Sequence, residues 1–279
     1  MSASGAGSSG TIVCGVDHSP GARNAAKLAD GLGGRLGSRL LLIHAVPLPL
    51  PSREAGVAPP TSFVMVDQMR AAGVTLLEEV AGELDAAPGI ERRVQIGGAA
   101  EVIAAAAEDA GAELVVVGSR GLGSVGALLL GSVSRSLATR GPCPALIVPD
   151  STPVHGDGPI VCAVDESEGA RAALSAAADL AGRLDVQLLV VTVEANDGPS
   201  PAAVERLISA AGLGMSTRTI VTHGEPSAAI VEAAGSHGAG MIVIGSRGRG
   251  ALAASVLGSV SSSVAGRSDR PVLVVRGRG

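Results

Sequence analysis

Two glycine-rich segments hold the residue types that could do chemistry. Gly118-Ser-Arg-Gly121 is followed by nine residues and then Gly131-Ser-Val-Ser134, and the pattern returns as Gly245-Ser-Arg-Gly248 and Gly258-Ser-Val-Ser261. Glycine lets backbone N–H groups approach phosphate oxygens without side-chain obstruction. A helix opening at Ser132 or Ser259 would add unpaired amide donors and a partial positive charge, worth ~0.3–1 kcal/mol per anion. Ser132, Ser134, Ser259 and Ser261 could add hydroxyl donors, or Ser132 and Ser259 could simply cap the helices. An aspartate closes the first apolar run of each half: Asp17 after Thr11-Ile-Val-Cys-Gly-Val, and Asp165 after Pro159-Ile-Val-Cys-Ala-Val. A carboxylate at that place can accept hydrogen bonds from ribose hydroxyls, or it can serve only as a turn former. Together these residues point to a nucleotide site in each half.

Other phosphate chemistries fit less well. No Gly-Lys-Ser/Thr exists, and Lys27, the single lysine, falls in a helical stretch, so a Walker loop is excluded. Gly121-Leu-Gly123-Ser-Val-Gly126 matches the dinucleotide pattern, with Asp150 after the next strand. That fingerprint belongs after the first strand of a domain, and the second half puts Arg276 where Asp150 stood, so the match holds in one copy only. The five histidines have no metal spacing and are read as structural or solvated. Cys14, Cys143 and Cys162 make neither a disulfide framework nor a zinc pattern and are read as small buried or half-buried thiols.

Composition narrows the partners. The net charge is −5 and the only Phe, Tyr or Trp is Phe63, so the chain lacks both a basic surplus for a polyphosphate backbone and stacking platforms for bases. Nucleic acid is not expected as a partner, and any adenine must lie between aliphatic side chains and backbone. No apolar run approaches the ~18–20 residues that span a membrane. Met1–Gly10 is Ser/Gly/Ala-rich with no basic or apolar signal region, so it reads as a disordered start and the cytoplasm is the expected location.

The elements that must position these residues follow from the repeat. The first strands match at an offset of 148, and Gly118–Val148 matches Gly245–Val275 at an offset of 127 with 17 of 31 positions identical. A whole domain is therefore duplicated, at residues 11–149 and 159–276, with a turn-rich linker at 150–158. The first half carries 21 extra residues between these blocks, most of them assigned to the Pro-rich stretch Pro47–Pro60. Strands are predicted at Thr11–Asp17, Arg39–Val46, Glu91–Gly97, Leu114–Ser119 and Ala145–Val148, then at Ile160–Asp165, Val186–Val193, Thr217–Thr222, Met241–Ser246 and Val272–Val275. Their near-continuous Val/Ile/Leu runs suit a parallel sheet buried on both faces. Ala22, Ala25, Ala26, Ala29 and Leu32 form a helical stripe capped by Ser19-Pro20, and Ser167 should cap its counterpart. The fold class is α/β, two tandem doubly wound, Rossmann-like domains with five parallel strands each.

The Gly-x2-Gly-x9-Gly-Ser pattern after a hydrophobic strand, with an Asp at the end of strand one, resembles the ATP-binding universal stress proteins, and both halves match it. The resemblance implies a strand order of 3-2-1-4-5, which sets Asp17 beside the Gly118 loop. It implies that Asp17 binds ribose and that Ala45 meets adenine through its backbone. Gly118, Arg120 and Gly121 would embrace ribose and phosphates, and Gly131, Ser132, Val133 and Ser134 would hold the terminal phosphates. Asp165, Val193, Gly245, Arg247, Gly248, Gly258, Ser259, Val260 and Ser261 are implied for the same roles in the second half. The ligand implied is ATP, with Mg2+ or Mn2+ only as a companion of its phosphates. The resemblance also implies domain pairing within the chain through the fifth strands, Pro144–Val148 and Pro271–Val275; association of two chains into a homodimer stays open.

The leading functional expectation is a nucleotide-dependent regulator of stress response or growth and not an enzyme. The alternatives are a slow ATPase or autophosphorylating protein using Ser132 and Ser259, and a partner-binding module using Pro47–Pro60. Efficient phosphoryl transfer lacks a placed base and a metal-binding carboxylate cluster. Glutamate at Gly118 and Gly245 is expected to remove nucleotide while leaving the fold intact.

Overall fold

A computed structural model describes residues 10–48, 61–121, 130–150, 157–194, 201–212, 217–248 and 256–277. The expected disordered start up to residue 9, the Pro-rich stretch from 49 to 60, the linker at 151–156 and most of the dinucleotide-like segment at 122–129 lie outside them.

The first half runs β1 (Thr11–Gly15), α1 (Pro20–Leu36), β2 (Arg39–Val46), α2 (Thr61–Ala81), β3 (Ile90–Ile96), α3 (Ala99–Asp109), β4 (Leu114–Gly118), α4 (Ser132–Arg140) and β5 (Ala145–Val148). The second repeats the plan: β6 (Ile160–Ala163), α5 (Glu168–Leu184), β7 (Leu188–Glu194), α6 (Pro201–Ala210), β8 (Arg218–His223), α7 (Pro226–Ser236), β9 (Met241–Gly245), α8 (Ser259–Arg267) and β10 (Val272–Val275). All ten expected strands form. The extra chain of the first half is distributed differently from the expectation: α2 has 21 residues against 10 in α6, so the larger part extends a helix. A proline-rich start conceals this, because composition marks the connection and not the helix behind it.

Sheet order is β3-β2-β1-β4-β5-β10-β9-β6-β7-β8. Within each half neighbouring strands are parallel in the order 3-2-1-4-5. The halves join through β5 and β10, which run antiparallel with Leu146 opposite Leu273. Every residue of β1, β4 up to Val117, β5, β6 and β10 is buried, as strands covered on both faces require. Alternate residues feed two cores. Ile12, Cys14, Leu40 and Leu42 face α1 and α2, while Val13, Leu41 and Ile43 face α3 and α4. Each core continues into the second half.

Helix α1 packs by its alanine stripe, and Ala22, Ala25, Ala26, Ala29 and Leu32 are all buried. Ser19 caps it by accepting from Ala22 N, with Pro20 at the first position, and Ser167 caps α5 through Ala170 N. Burial raises all three thiols: the Cys14 and Cys162 pKa values in the strands are pushed up to about 12, and that of Cys143, ahead of β5, to about 11.

Beside the central strands, Arg183 at the end of α5 donates to Glu113 at 2.7 Å, and Ser38 also donates to Glu113. Burial pushes the Glu113 carboxyl up, but the Arg183 and Ser38 hydrogen bonds and the Arg183 charge outweigh it and hold it below the ordinary value. A carboxylate so lowered contributes stability in full above its unfolded pKa of about 4.3 and loses it as pH falls through the lower folded value. Glu113→Gln should therefore cost about 1 kcal/mol or less at pH 7, since the pair is partly exposed. Thermal unfolding of both proteins between neutral pH and strong acid should show that gap closing only on the acid side. A gap constant across the range would exclude this link.

Candidate nucleotide site

Parallel strands deliver their carboxyl ends to one edge of the sheet, and there the turn after β1 meets the loop after β4. Asp17 lies two residues past β1. Its Oδ1 accepts from both the backbone N, at 2.9 Å, and the hydroxyl of Ser19, and its Oδ2 faces Gly121, where a Cβ would come within 2.7 Å. Asp165 does the same in the second half: Oδ1 accepts from the N and hydroxyl of Ser167, and Oδ2 would lie 2.7 Å from a Cβ at Gly248. One carboxylate oxygen thus builds the helix-opening turn while the other borders the glycine loop. The turn-former reading of this aspartate holds for Oδ1 in both halves.

Each glycine has its own reason. A Cβ at Gly118 would lie 2.9 Å from the backbone of Gly21, and one at Gly245 would lie 2.6 Å from that of Gly169. These two residues let the first turn of α1 and α5 press on the end of β4 and β9. The expectation that glutamate there would spare the fold is corrected: side chains at these positions collide with helix backbone before they reach any ligand. Gly131 closes the loop by donating its N to Ser119 O at 2.9 Å, and Gly258 does so to Ser246 O at 2.8 Å.

Gly131 and Gly258 are also the N-caps of α4 and α8, with no side-chain cap bond. Ser132 and Ser259 are the first helical residues and exposed, so they are not caps as the sequence allowed. The N-cap residues of both helices therefore supply no side chain to the first amides, which is the condition under which a helix end receives an anion. Ser134 is buried and donates its hydroxyl to Gly118 O at 2.7 Å; Ser261 donates to Gly245 O at 2.6 Å. Their protons fix the loop after the strand and are not aimed at a ligand.

Arg120 borders the site, but its Nε pairs with Asp150 Oδ2 at 3.0 Å. The strand registers set Val148 beside Gly118 and Val275 beside Gly245, so the counterpart of Asp150 is Gly277 and not Arg276. Arg247 lacks this carboxylate.

In the first domain these groups surround a cavity of about 490 Å³, within the range of small-molecule sites. Asp17, Ala45, Gly118, Arg120, Gly121, Gly131, Ser132, Val133 and Ser134 all line it. Its apolar wall adds Ile43, Ile103, Val117 and Leu130, with Ala99 at the start of α3. The sequence offered no signal for Ile103 or Ala99, because only tertiary packing brings their helix against the sheet. His44 also borders the cavity and its Nδ1 donates to Val16 O at 2.8 Å, tying β2 to the end of β1. Among the described residues no group of three or more His, Cys, Asp or Glu side chains could hold a metal ion, and no helix is long and apolar enough to cross a membrane.

The model of the universal stress protein family matches residues 9–149 and again 158–276. The chain belongs to the universal stress protein family. A family member from Mycobacterium tuberculosis is 28% identical, with 95% of this chain and 96% of the relative aligned. One from Mycolicibacterium smegmatis is 33% identical over 192 residues, and there the match spans 63% of the relative's length. A universal stress protein of Archaeoglobus fulgidus has the same fold with a TM-score of 0.73 and 25% identity over 96% of each chain. A putative one from Pseudomonas aeruginosa, 20% identical, shares the fold with a TM-score of 0.64 over 96% of this chain and 94% of its own.

The two serines of the α4 opening should separate cleanly on substitution. Ser134→Ala removes a buried donor from Gly118 O and should destabilise the nucleotide-free protein by about 1 kcal/mol. Ser132→Ala should stay within about 0.5 kcal/mol of the parent. Denaturant unfolding of the two variants checks the contrast, and equal effects would contradict it.

Proposed function

We propose that this universal stress protein is an adenine-nucleotide-binding regulator with one ATP site per domain. The observation that carries the reading is the duplicated cradle: helix amides without a capping side chain, at Ser132 to Ser134 and Ser259 to Ser261, stand across a glycine loop from an aspartate oxygen. Amide donors suit phosphates, the Asp17 and Asp165 Oδ2 atoms suit ribose hydroxyls, and aliphatic walls suit a purine ring. Ala45 and Val193 offer backbone at the base end; Gly118, Arg120, Gly121 and Gly131 in one domain, and Gly245, Arg247, Gly248 and Gly258 in the other, enclose the ribose and phosphates. Val133 and Val260 follow the phosphate-facing serines. Any Mg2+ or Mn2+ enters with the phosphates.

Regulation follows from linkage. A ligand that binds only the folded, closed form adds about 2.7 kcal/mol at a hundredfold excess over Kd, enough to shift a conformational balance or a partner surface. The Asp17 and Asp165 carboxylates each commit one oxygen to a serine turn and are not arranged as a general base, so hydrolysis should run far below the ~1 per second of ordinary enzymes.

Because the chain has no Trp or Tyr, the purified protein should be nearly transparent at 280 nm, and an absorption band at 260 nm reports retained base. Extraction and mass measurement should return ATP or another adenine nucleotide, and added ATP should raise the Tm. The double variant Ser132→Glu, Ser259→Glu keeps the fold, since an acidic residue suits an exposed helix start, yet should lose the nucleotide. Retention of ATP by that variant would contradict the site.

A further inference from the structure

The glycines and serines at the phosphate ends of the two sites are the same, but the base ends are not. Strand register sets Gly15 beside Ile43 and Ala163 beside Val191, which makes the positions directly comparable. A Cβ at Gly15 would lie 2.6 Å from Ile103 Cδ1 and 3.1 Å from Val117 Cγ1, atoms of two cavity-lining side chains. In the second domain Ala163 carries that Cβ, and Ile244 replaces Val117 beside it. Val193 replaces Ala45, and Pro226 replaces Ala99. Val191 for Ile43 and Thr192 for His44 return part of this space. Thr192 does not reproduce the tie made by His44: its Oγ1 is buried with no hydrogen-bond partner among the described residues. At the phosphate end the difference runs the other way, because the carboxylate that pairs with Arg120 has Gly277 as its counterpart.

From this contrast we infer that the two sites read different parts of the ligand. The first domain grips the nucleoside and is the tighter and more selective ATP site; the second binds through the phosphates and fills only at higher ATP. The inference rests on the nucleotide reading above and adds unequal roles to it. One methylene in an apolar pocket changes binding about 10–200-fold, so the added carbons at Ala163, Ile244 and Val193 suffice to separate the affinities. A chain built this way responds to ATP in two steps instead of one.

Calorimetric titration of the full chain with ATP, and separately with inorganic tripolyphosphate, tests the division. ATP should titrate in two classes at least about tenfold apart, with Ser132→Glu removing the tighter class and Ser259→Glu the weaker. Tripolyphosphate, lacking a nucleoside, should show no preference for the first site. Ala45→Val should weaken the tight ATP class about tenfold and leave tripolyphosphate unchanged, and Val193→Ala should strengthen the weak class. Two equal ATP classes, loss of the tighter class in Ser259→Glu, or an Ala45→Val protein with unaltered ATP binding would each overturn the inference. Absence of ATP binding in the parent protein would instead remove the nucleotide reading on which it rests.

Discussion

Three facing residue pairs between β5 and β10 hold the two halves in one sheet, and the rest of the arrangement depends on that contact. Both strands are four residues long and wholly buried. Left apart, each would be an unpaired apolar edge, the kind of surface that recruits other chains. Paired antiparallel, they leave β3 and β8 as the outer edges among the described residues, and these carry Glu91, Arg92 and Arg93 on one side and Arg218 and His223 on the other. The antiparallel step also reverses the strand direction between halves. The carboxyl ends of the two sets of strands, and with them the two candidate sites, therefore sit at opposite edges of a common sheet.

Within each half, the site is assembled by groups that serve the fold first. Ser19 caps α1 and binds Asp17; Ser134 ties α4 to the end of β4; Gly118 admits the first turn of α1. The proposed nucleotide site would use what is left over: the second oxygen of Asp17, the first amides of α4 and the aliphatic wall between α3 and the sheet.

Duplication then lets the halves diverge where the fold permits. Asp17, Gly118 and Ser134 recur in the second copy as Asp165, Gly245 and Ser261, and each of these also holds a strand end to a helix. Wall residues such as Ala45 and Val193, or Gly15 and Ala163, carry no such duty and differ. The long α2 of the first half, without equal in the second, is a further divergence away from the phosphate loops.

The duplication, the ten strands, the α1 cap and the recurrence of the glycine and serine residues were legible in the chain, because all of these are local patterns of apolar period, turn chemistry and repeat spacing. Which atoms meet which depends on the folded chain. That one oxygen of Asp17 is spent on Ser19, that Ser134 points at Gly118 O, that Gly118 faces helix backbone, and that Arg120 meets Asp150 are contacts between segments far apart in the chain or questions of side-chain direction. The apolar wall from Ile103 and Ala99 belongs to the same class. Spacing along a chain encodes which residues share an element; which of their valences remain for a ligand depends on neighbours that only folding brings within bonding distance.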